Sequence, residues 1–455
     1  MPFFAGLFAC VLILGYILLR SWRGSIHFLP SIGWQFLLVI PFFIEYPLFN
    51  PDVRDTQLIA IMAIAAALFA GDFMSDRIVA RQGEAPAPNA QQSKTTFMLA
   101  SGLAALFVGL SLWHLLTADS IPIFDMLRGV NDNAEQIEAR NHFARDVSTP
   151  AIVRYACSFA PCIFAIPAVL VFIASRKYAA AGALMLWVVF YTVAGTAKSP
   201  LAMALLILPV GIILISTRRQ ATLIIRTLMV AGLAGLLLLG VLNVFSPYPA
   251  LLDDLPAKYA HAQEKDSSEL VPNLGDVERA RSYDAATEPP FIWRRIDYIL
   301  YRVFFTPVEV SERWFEYFHR FPVNSVVLSR MVDDSRSGEM VHPANLVGVW
   351  AFTERFPQNY TPEIYAYASI EADSYNRYGW LGLGIAALML MGFRLCLAVF
   401  NDLHGPTHGA FFATGIALLS YLPSSASIQA ILIPQGLGLL GLILFCLWMY
   451  PKMAR

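Results

Sequence analysis

The sequence predicts an all-α, polytopic membrane protein with about eleven transmembrane helices and one large, mostly helical loop outside the cytoplasm. Three observations support this fold class. Hydrophobic residues make up 57% of the chain and charged residues only 14%, whereas a soluble domain carries about 25% charged residues. The apolar residues come in runs of roughly 17–25, the length at which a helix crosses a hydrocarbon core about 30 Å thick. The basic residues of the short connections fall in alternate gaps between these runs, as the positive-inside rule expects.

Apolar segments lie on both sides of one long polar interruption, at 3–19, 29–49, 57–74, 96–117, 151–174, 179–197, 200–216, 227–246, 379–399, 409–423 and 428–449. Basic residues follow the first, third, fifth and seventh segments and also the last, which places those gaps in the cytoplasm. The N-terminus is therefore predicted outside and the C-terminus in the cytoplasm. The chain divides into a first helical region (1–245) with an outer loop 118–150, a large loop 246–378 that is periplasmic in a Gram-negative cell, and a second helical region (379–455).

Composition excludes several classes of function. The formal net charge of −1 gives no electrostatic footprint for nucleic acid. The five cysteines all lie in apolar segments, so no disulfide framework braces the large loop. The histidines lack the H-x-x-x-H and H-E-x-x-H spacings of metal sites, and the chain has no G-x-x-x-x-G-K-[ST] phosphate loop. The sequence therefore predicts no metal, no cofactor and no ATP-driven step.

The large loop is rich in arginine and poor in lysine. After Pro289 and Pro290, the stretch FIWRRIDYILYRVFF is typical of a helix, because proline is favoured at a first helical turn. Arg295, Tyr298 and Arg302 follow at i, i+3 and i+7 and therefore share one helix face. Two planar guanidiniums on one face suit pyrophosphate better than lysines would. The alternative is a structural role, in which these arginines reach the membrane surface or pair with the acids of the loop.

Two further helices are predicted in the loop. The motif TPVE at 306–309 has the form of a capping box with proline at the first helical position, and it starts a second helix that ends near Arg320. An irregular stretch follows up to residue 360. The motif TPE at 361–363 opens a third helix, which can run directly into the apolar segment that begins near Gly379.

Three residues are candidates for a general base. Histidine titrates near neutral pH, which suits proton transfer, and His342 is the only histidine of the irregular stretch. Glu371 and Asp373 lie where the third helix meets the membrane, and they compete for the same role. The alternatives are a solvated histidine and, for the two acids, a solvated or ion-paired face with Arg377 as the local partner.

Arg377 and Lys198 complete the predicted pyrophosphate-binding set. Lys198 lies in AGTAKSP, a hairpin between two apolar segments on the predicted outer side. A cation there is costly unless it is paired, hydrated or useful, and the alternative is simple snorkelling at the interface.

Glu45 and Arg154 are ionisable residues inside apolar segments, which is a functional flag by default. Both lie close enough to the predicted membrane surface to be anchors.

Three stretches resemble motifs of one bacterial family. AGTAKSPLAMALLI is similar to a Gly-x-basic stretch that opens an apolar segment, with Lys198 where arginine is common. RRIDYILYRVFFTP resembles the arginine-bearing start of a large periplasmic loop. EADSYNRYGWLG resembles a polar helix that leads into an aromatic-Gly-x-x-Gly motif, here Tyr378, Gly379 and Gly382. The family is that of the O-antigen polymerases and related polymerases of lipid-linked oligosaccharide repeat units.

The resemblance implies a GT-C-like glycosyltransferase of the bacterial inner membrane. Such an enzyme polymerises undecaprenyl-pyrophosphate-linked oligosaccharides, without a metal, into O-antigen or a related surface polysaccharide. The expected partners are these substrates, membrane lipids and a chain-length regulator protein. An O-antigen ligase or another lipid-linked sugar transferase is the alternative within the same chemistry. Ligases share the layout, but they carry a histidine where this chain has Ala368, which favours a polymerase. A transporter or flippase of lipid-linked sugars is the alternative from another class; polar residues concentrated in one loop favour an enzyme, because transporters usually place charges near mid-membrane.

Overall fold

The computed structural model of the protein describes residues 2–22, 28–46, 49–82, 90–127, 139, 143, 150, 153, 157, 159–195, 198–215, 306–321, 332–334, 339–341, 343–352, 366–400, 406–424, 426–432 and 435–453. These residues are helical almost throughout, which confirms the all-α prediction for the described part of the chain. The predictions on Arg295, Tyr298, Arg302 and His342, and on the apolar segment 227–246, concern residues outside these ranges.

The described part of the first half contains α1 (Pro2–Trp22), α2 (Leu29–Trp34), α3 (Ile40–Glu45), α4 (Pro51–Gln82), α5 (Ala90–Thr117), α6 (Pro122–Leu127), α7 (Ile166–Ala174), α8 (Tyr178–Ala194) and α9 (Lys198–Ile215). The described part of the second half contains α10 (Thr306–Arg320), β1 (Val332–Asp334), β2 (Glu339–Val341), α11 (Pro343–Phe352), α12 (Ile370–Phe400), α13 (Pro406–Tyr421), α14 (Ile428–Leu432) and α15 (Leu437–Met453). A 3₁₀ turn, Leu422–Ser424, follows α13.

Two π-helical turns, Gln35–Val39 and Pro161–Ala165, lead directly into α3 and α7. Each turn ends two residues before a proline, Pro41 in α3 and Pro167 in α7. Proline has no N–H, so the carbonyl four residues before it loses its α-helical donor. A locally wider turn lets the next N–H in the chain reach that carbonyl. The helix therefore continues through the proline instead of ending there.

Three helical segments are long and apolar enough to cross a membrane: Pro51–Val79, Phe97–Thr117 and Ile370–Val399. Shorter apolar helices lie at Phe4–Ile17, Leu29–Glu45, Pro161–Ala174, Tyr178–Ala194, Gly409–Ser424 and Leu437–Cys446. Helices that could cross a membrane indicate association with one. Each predicted apolar segment that has described residues contains a helix, while the count of eleven spans remains a prediction.

The pairing of α4 with α12 is the most extensive helix contact among the described elements. The two helices approach closely at Gly71, where a Cβ atom would lie 3.3 Å from the Met391 Cα atom. They run parallel, because Gln57 and Glu371, near their first turns, both bond to Ser311 at one end, and residues 71–75 of α4 meet 391–394 of α12 at the other. The predicted topology requires the same parallel course, from outside to cytoplasm.

Beside this pair, residues 410–420 of α13 are all buried, and α13 packs against α2, α7 and α9.

The stretch predicted to be irregular contains regular structure. Strands β1 and β2 pair antiparallel, with Val332 opposite Val341 and Asp334 opposite Glu339. The sequence SRSG between them consists of turn-forming residue types and one arginine. Helix α11 then begins at Pro343, where proline suits a first helical position. The prediction of an irregular stretch is therefore wrong for 332–334, 339–341 and 343–352.

The third loop helix begins later than predicted. Residues 366–369 are not helical, and α12 starts at Ile370. The backbone of Ala366 is held from two sides, since its N–H donates to the Ala344 carbonyl over 2.8 Å and its carbonyl accepts from Trp314 Nε1 over 2.8 Å. These bonds to α11 and α10 replace the bonds that a helix would make. The run into the membrane segment is also interrupted, because Gly379 has φ 61° and ψ −150° and kinks α12.

Candidate functional site

Helix α10 is the described part of the large loop that covers the start of α4 and α12. Its buried residues include Val308, Ser311, Trp314, Phe315 and Phe318, which follow helical spacing along one face. The Trp314 indole N–H bonds to the Ala366 carbonyl, and the Phe315 ring stacks on the Tyr375 ring with 5.3 Å between centroids. A helix that begins at Thr306 and ends at Arg320 is confirmed, with the bounds that the sequence predicted.

A group of four polar side chains, Gln57, Ser311, Ser369 and Glu371, lies under α10; we call it the polar junction. All four side chains are buried, with Gln57 and Glu371 0% exposed. The Ser311 hydroxyl donates to Glu371 Oε1 over 2.8 Å, and the Ser369 hydroxyl donates to the same oxygen. Gln57 Nε2 donates to Ser311 Oγ over 3.2 Å and to the carbonyl of Val308 over 3.4 Å. The junction thus joins α4, α10 and α12 through hydrogen bonds.

Two oxygens of the polar junction lack a hydrogen-bond donor among the described residues. They are Glu371 Oε2 and Gln57 Oε1, and both are buried. Rotating the Gln57 amide does not remove this deficit, because it would place the amide oxygen against the Val308 carbonyl, which only accepts. A buried acceptor without a donor costs about 1–3 kcal/mol. The junction is therefore suited to a ligand that supplies O–H or N–H groups.

Asp373 and Arg377 lie on the next turns of α12 and pair with each other. Arg377 Nε is 2.8 Å from Asp373 Oδ1, and the two side chains are 5% and 8% exposed. The spacing i, i+4 allows this pair within one helix. The ion pair occupies Asp373 Oδ1, an oxygen that a base would need, and it neutralises part of the Arg377 charge. Of the two carboxylates, Glu371 is therefore the better candidate for a base, because its Oε2 has no donor among the described residues.

The start of α4 adds a second set of polar groups beside the junction. The backbone N–H of Asn50 donates to Glu312 Oε1 over 3.0 Å, which ties this start to α10. The Tyr46 hydroxyl donates to Asp55 Oδ1 over 2.5 Å, and the Arg54 guanidinium carbon lies 4.8 Å from the Tyr46 ring centroid.

The structure therefore brings together only some residues of the predicted site. Glu371 lies in the polar junction, Asp373 and Arg377 form an ion pair, and Lys198 is the first residue of α9. Sequence reasoning missed Gln57 and Ser311. A signal for Ser311 was present, since it is a small polar residue among the mostly apolar buried residues of α10. Gln57 stood at the first position of a predicted apolar segment.

A second polar cluster lies at the other end of the α4–α12 pair. Arg394 Nε is 2.7 Å from Asp72 Oδ1, and both side chains are 0% exposed. Asp72 Oδ2 also accepts from the Ser31 hydroxyl over 2.6 Å and from the Ser31 backbone N–H over 3.0 Å. The Ser75 hydroxyl donates to the Arg394 carbonyl over 3.1 Å. Sequence reasoning flagged Glu45 and Arg154 as intramembrane charges and missed this pair.

The loop predicted at 118–150 is anchored at Phe143. Phe143 is buried, and its ring stacks on the His114 ring with 4.3 Å between centroids. The Phe143 carbonyl lies 2.9 Å from His114 Nε2, and the Tyr191 hydroxyl lies 2.7 Å from His114 Nδ1. A carbonyl only accepts, so Nε2 donates to it, and a neutral His114 ring then accepts from the Tyr191 hydroxyl at Nδ1. This loop is therefore tied to α5 and α8 at Phe143.

Comparison with known proteins adds no family to this description: no protein-family model, no curated protein and no solved structure matches the chain. The class that the described residues define is a helical protein with segments able to cross a membrane.

Proposed function

We propose that the protein is a glycosyltransferase that polymerises polyprenyl-pyrophosphate-linked oligosaccharide repeat units at the outer face of the bacterial inner membrane. The polar junction is the observation that carries this proposal. Its two buried acceptor oxygens come from different helices and lack donors among the described residues. An acceptor sugar is rich in hydroxyl groups, which are donors. Glu371 Oε2 and Gln57 Oε1 are therefore suited to hold two hydroxyls of one sugar.

Glu371 is the group best suited to act as the base. Ser311 and Ser369 both donate to Oε1, which leaves Oε2 for the substrate. In the transfer, Oε2 takes the proton of the acceptor hydroxyl while that oxygen bonds to the anomeric carbon of the growing chain. The bond from this carbon to the pyrophosphate oxygen breaks, and the polyprenyl pyrophosphate leaves with the electron pair. The arginines of the predicted loop helix would stabilise the charge that develops on it.

The test uses a strain that lacks the gene, complemented with variants, and the surface polysaccharide is separated on a gel. We expect the deletion to leave single capped repeat units and wild-type protein to restore long chains. Glu371→Gln should reduce polymerisation by about 10²–10⁴-fold, the contribution of a general base. Glu316→Gln is the matched control, since Glu316 forms a partly exposed pair with Arg313 within α10, and it should behave as wild type.

Four other outcomes of this experiment would contradict the proposal. Normal chain lengths in the deletion strain would exclude a polymerase. A wholly uncapped lipid core would indicate a ligase, and lipid-linked units accumulating on the inner leaflet would indicate a flippase. Long chains made by Glu371→Gln protein would remove Glu371 as the base.

We propose that α10 moves to open access to Glu371, because this side chain is 0% exposed and Ser311 of α10 bonds to it. Cysteines at Phe315 and Tyr375, whose rings stack, would cross-link α10 to α12 in protein that carries Cys396→Ser and Cys446→Ser to remove the exposed thiols. We expect oxidation to stop polymerisation and reduction to restore it. Full activity of the cross-linked protein would contradict this route to the base.

One observation favours a second candidate, a transporter or flippase of lipid-linked sugars. The Asp72–Arg394 pair is fully buried between α4 and α12, and buried charges within membrane helices are a common feature of transport pathways. Under this alternative, Asp72→Asn abolishes translocation of a lipid-linked sugar in proteoliposomes, while Glu371→Gln leaves it unchanged. Wild-type proteoliposomes that translocate no such lipid would exclude the alternative.

A further inference from the structure

Arg54 lies one turn into α4, and no carboxylate matches its charge among the described residues. Its guanidinium lies over the Tyr46 ring, 4.8 Å from the centroid. Its Nε atom is buried and has no hydrogen-bond partner among the described residues, and Arg54 forms no ion pair with any of them. An arginine in this state has donors available for an anion.

Two acids near the start of α4 are engaged by other donors. Asp55, the next residue of the helix, accepts from the Tyr46 hydroxyl over 2.5 Å. Glu312 on α10 accepts from the Asn50 backbone N–H over 3.0 Å. The Tyr46 ring thus packs against the Arg54 guanidinium, and the Tyr46 hydroxyl bonds to Asp55. Because Asp55 is bonded to Tyr46, the positive charge of Arg54 can interact with an anionic ligand.

Arg54 is also placed beside the polar junction. Arg54 and Gln57 are three residues apart in α4 and therefore lie on the same side of the helix. A planar guanidinium forms two parallel hydrogen bonds to phosphate oxygens, which lysine cannot do. An anion held at Arg54 would lie next to the oxygens suited to sugar hydroxyls.

We propose that Arg54 binds a phosphate group of the lipid-linked pyrophosphate substrate; the identity of this ligand rests on the function proposed above. Arg54 then positions the donor lipid at the start of α4, next to Gln57 and Glu371. A phospholipid headgroup offers the same phosphate chemistry, so the test separates the two sources.

The test measures binding by calorimetry, with full-length protein in phosphatidylcholine nanodiscs and with inorganic pyrophosphate and farnesyl pyrophosphate as probes. We expect Arg54→Gln to weaken the affinity for both probes by about 10-fold or more, the loss of one charge-assisted contact. Arg54→Lys should retain some of the affinity, because it keeps the charge and loses the paired geometry.

Arg77→Gln is the matched control. Arg77 lies on the same helix, and its guanidinium carbon is 4.2 Å from the Phe73 ring centroid, so it has the same kind of ring contact at the other end of α4. This variant should bind both probes like wild type. Equal affinities in wild type and Arg54→Gln would overturn the assignment, and so would an equal loss in Arg77→Gln.

Nanodiscs with phosphatidylglycerol identify the alternative source. If Arg54 only anchors the protein to headgroups, Arg54→Gln loses the thermal stabilisation that this lipid gives and pyrophosphate binding stays unchanged, which overturns the proposal. The function proposed above fails separately. Normal polysaccharide in the deletion strain, together with Arg54-dependent pyrophosphate binding, would exclude the polymerase and support the phosphate site.

Discussion

The α4–α12 pair holds one polar cluster at each end, and the two clusters differ in how completely their charges are matched. At the far end, Asp72 has a cation, a hydroxyl and a backbone N–H as partners. At the near end, Glu371 receives two hydroxyl donors on one oxygen, and its other oxygen has no donor among the described residues. Both carboxylates are fully buried. Burial alone therefore does not distinguish a structural charge from a functional one.

The difference indicates what each cluster is for. The Asp72 carboxylate accepts three hydrogen bonds, one of them from Arg394, and each of its oxygens has a donor, so it fixes how two helices align. The Glu371 carboxylate has hydroxyl donors on Oε1 only, and its Oε2 has no donor among the described residues. A ligand or a proton would supply the missing hydrogen bond. Substitutions in the two clusters should therefore differ in their effect on the free energy of unfolding.

The largest effect is expected at the ion pair. Arg394→Leu removes the cation of the pair and leaves Asp72 buried without it, which should cost about 3–5 kcal/mol. Unfolding in mixed micelles, followed by circular dichroism, measures this cost. The double variant Asp72→Leu, Arg394→Leu should recover most of the loss, because apolar residues of similar volume often replace a buried pair without penalty. A single variant as stable as wild type would show that the pair contributes little.

An intermediate effect is expected at the kink that leads from the polar junction into the membrane segment. Gly379 has a positive φ that is essentially restricted to glycine, so Gly379→Ala should cost about 1–3 kcal/mol. Gly384→Ala is the control, since it lies in the same helix with open space around its Cβ position, and it should be neutral or slightly stabilising. Equal stability of the two variants would contradict a fixed kink.

The smallest effect on stability is expected at Glu371. In Glu371→Gln the amide keeps an acceptor for Ser311 and Ser369 and replaces Oε2 with a donor group. The unfolding free energy should stay equal to that of wild type or rise by about 1 kcal/mol. Functional sites commonly show this combination of kept stability and lost activity. A loss of more than about 2 kcal/mol would mean that the Glu371 charge is needed to hold the helices together.

Local sequence patterns predicted much of the helical structure. Helix α10 has the predicted bounds, because its capping motif, its apolar periodicity and Pro322 all act within one short stretch. Each apolar segment with described residues is helical for the same reason, since length and hydrophobicity are properties of the segment itself. The predictions failed where a distant contact decides the local structure. Ala366 stays out of α12 because α10 and α11 bind its backbone.

The sequence by itself determined that the described part of the chain is helical, that it contains segments able to cross a membrane, and which residue types the large loop carries. Only the tertiary structure decided which polar groups meet. Asp72 and Arg394 are 322 residues apart in the chain, and Ser311 and Glu371 are 60 apart. No periodicity links such positions, because the packing of whole helices sets their distance. That packing also left Glu371 Oε2 without a donor among the described residues and Arg54 without an ion pair there, the two facts on which the proposals rest.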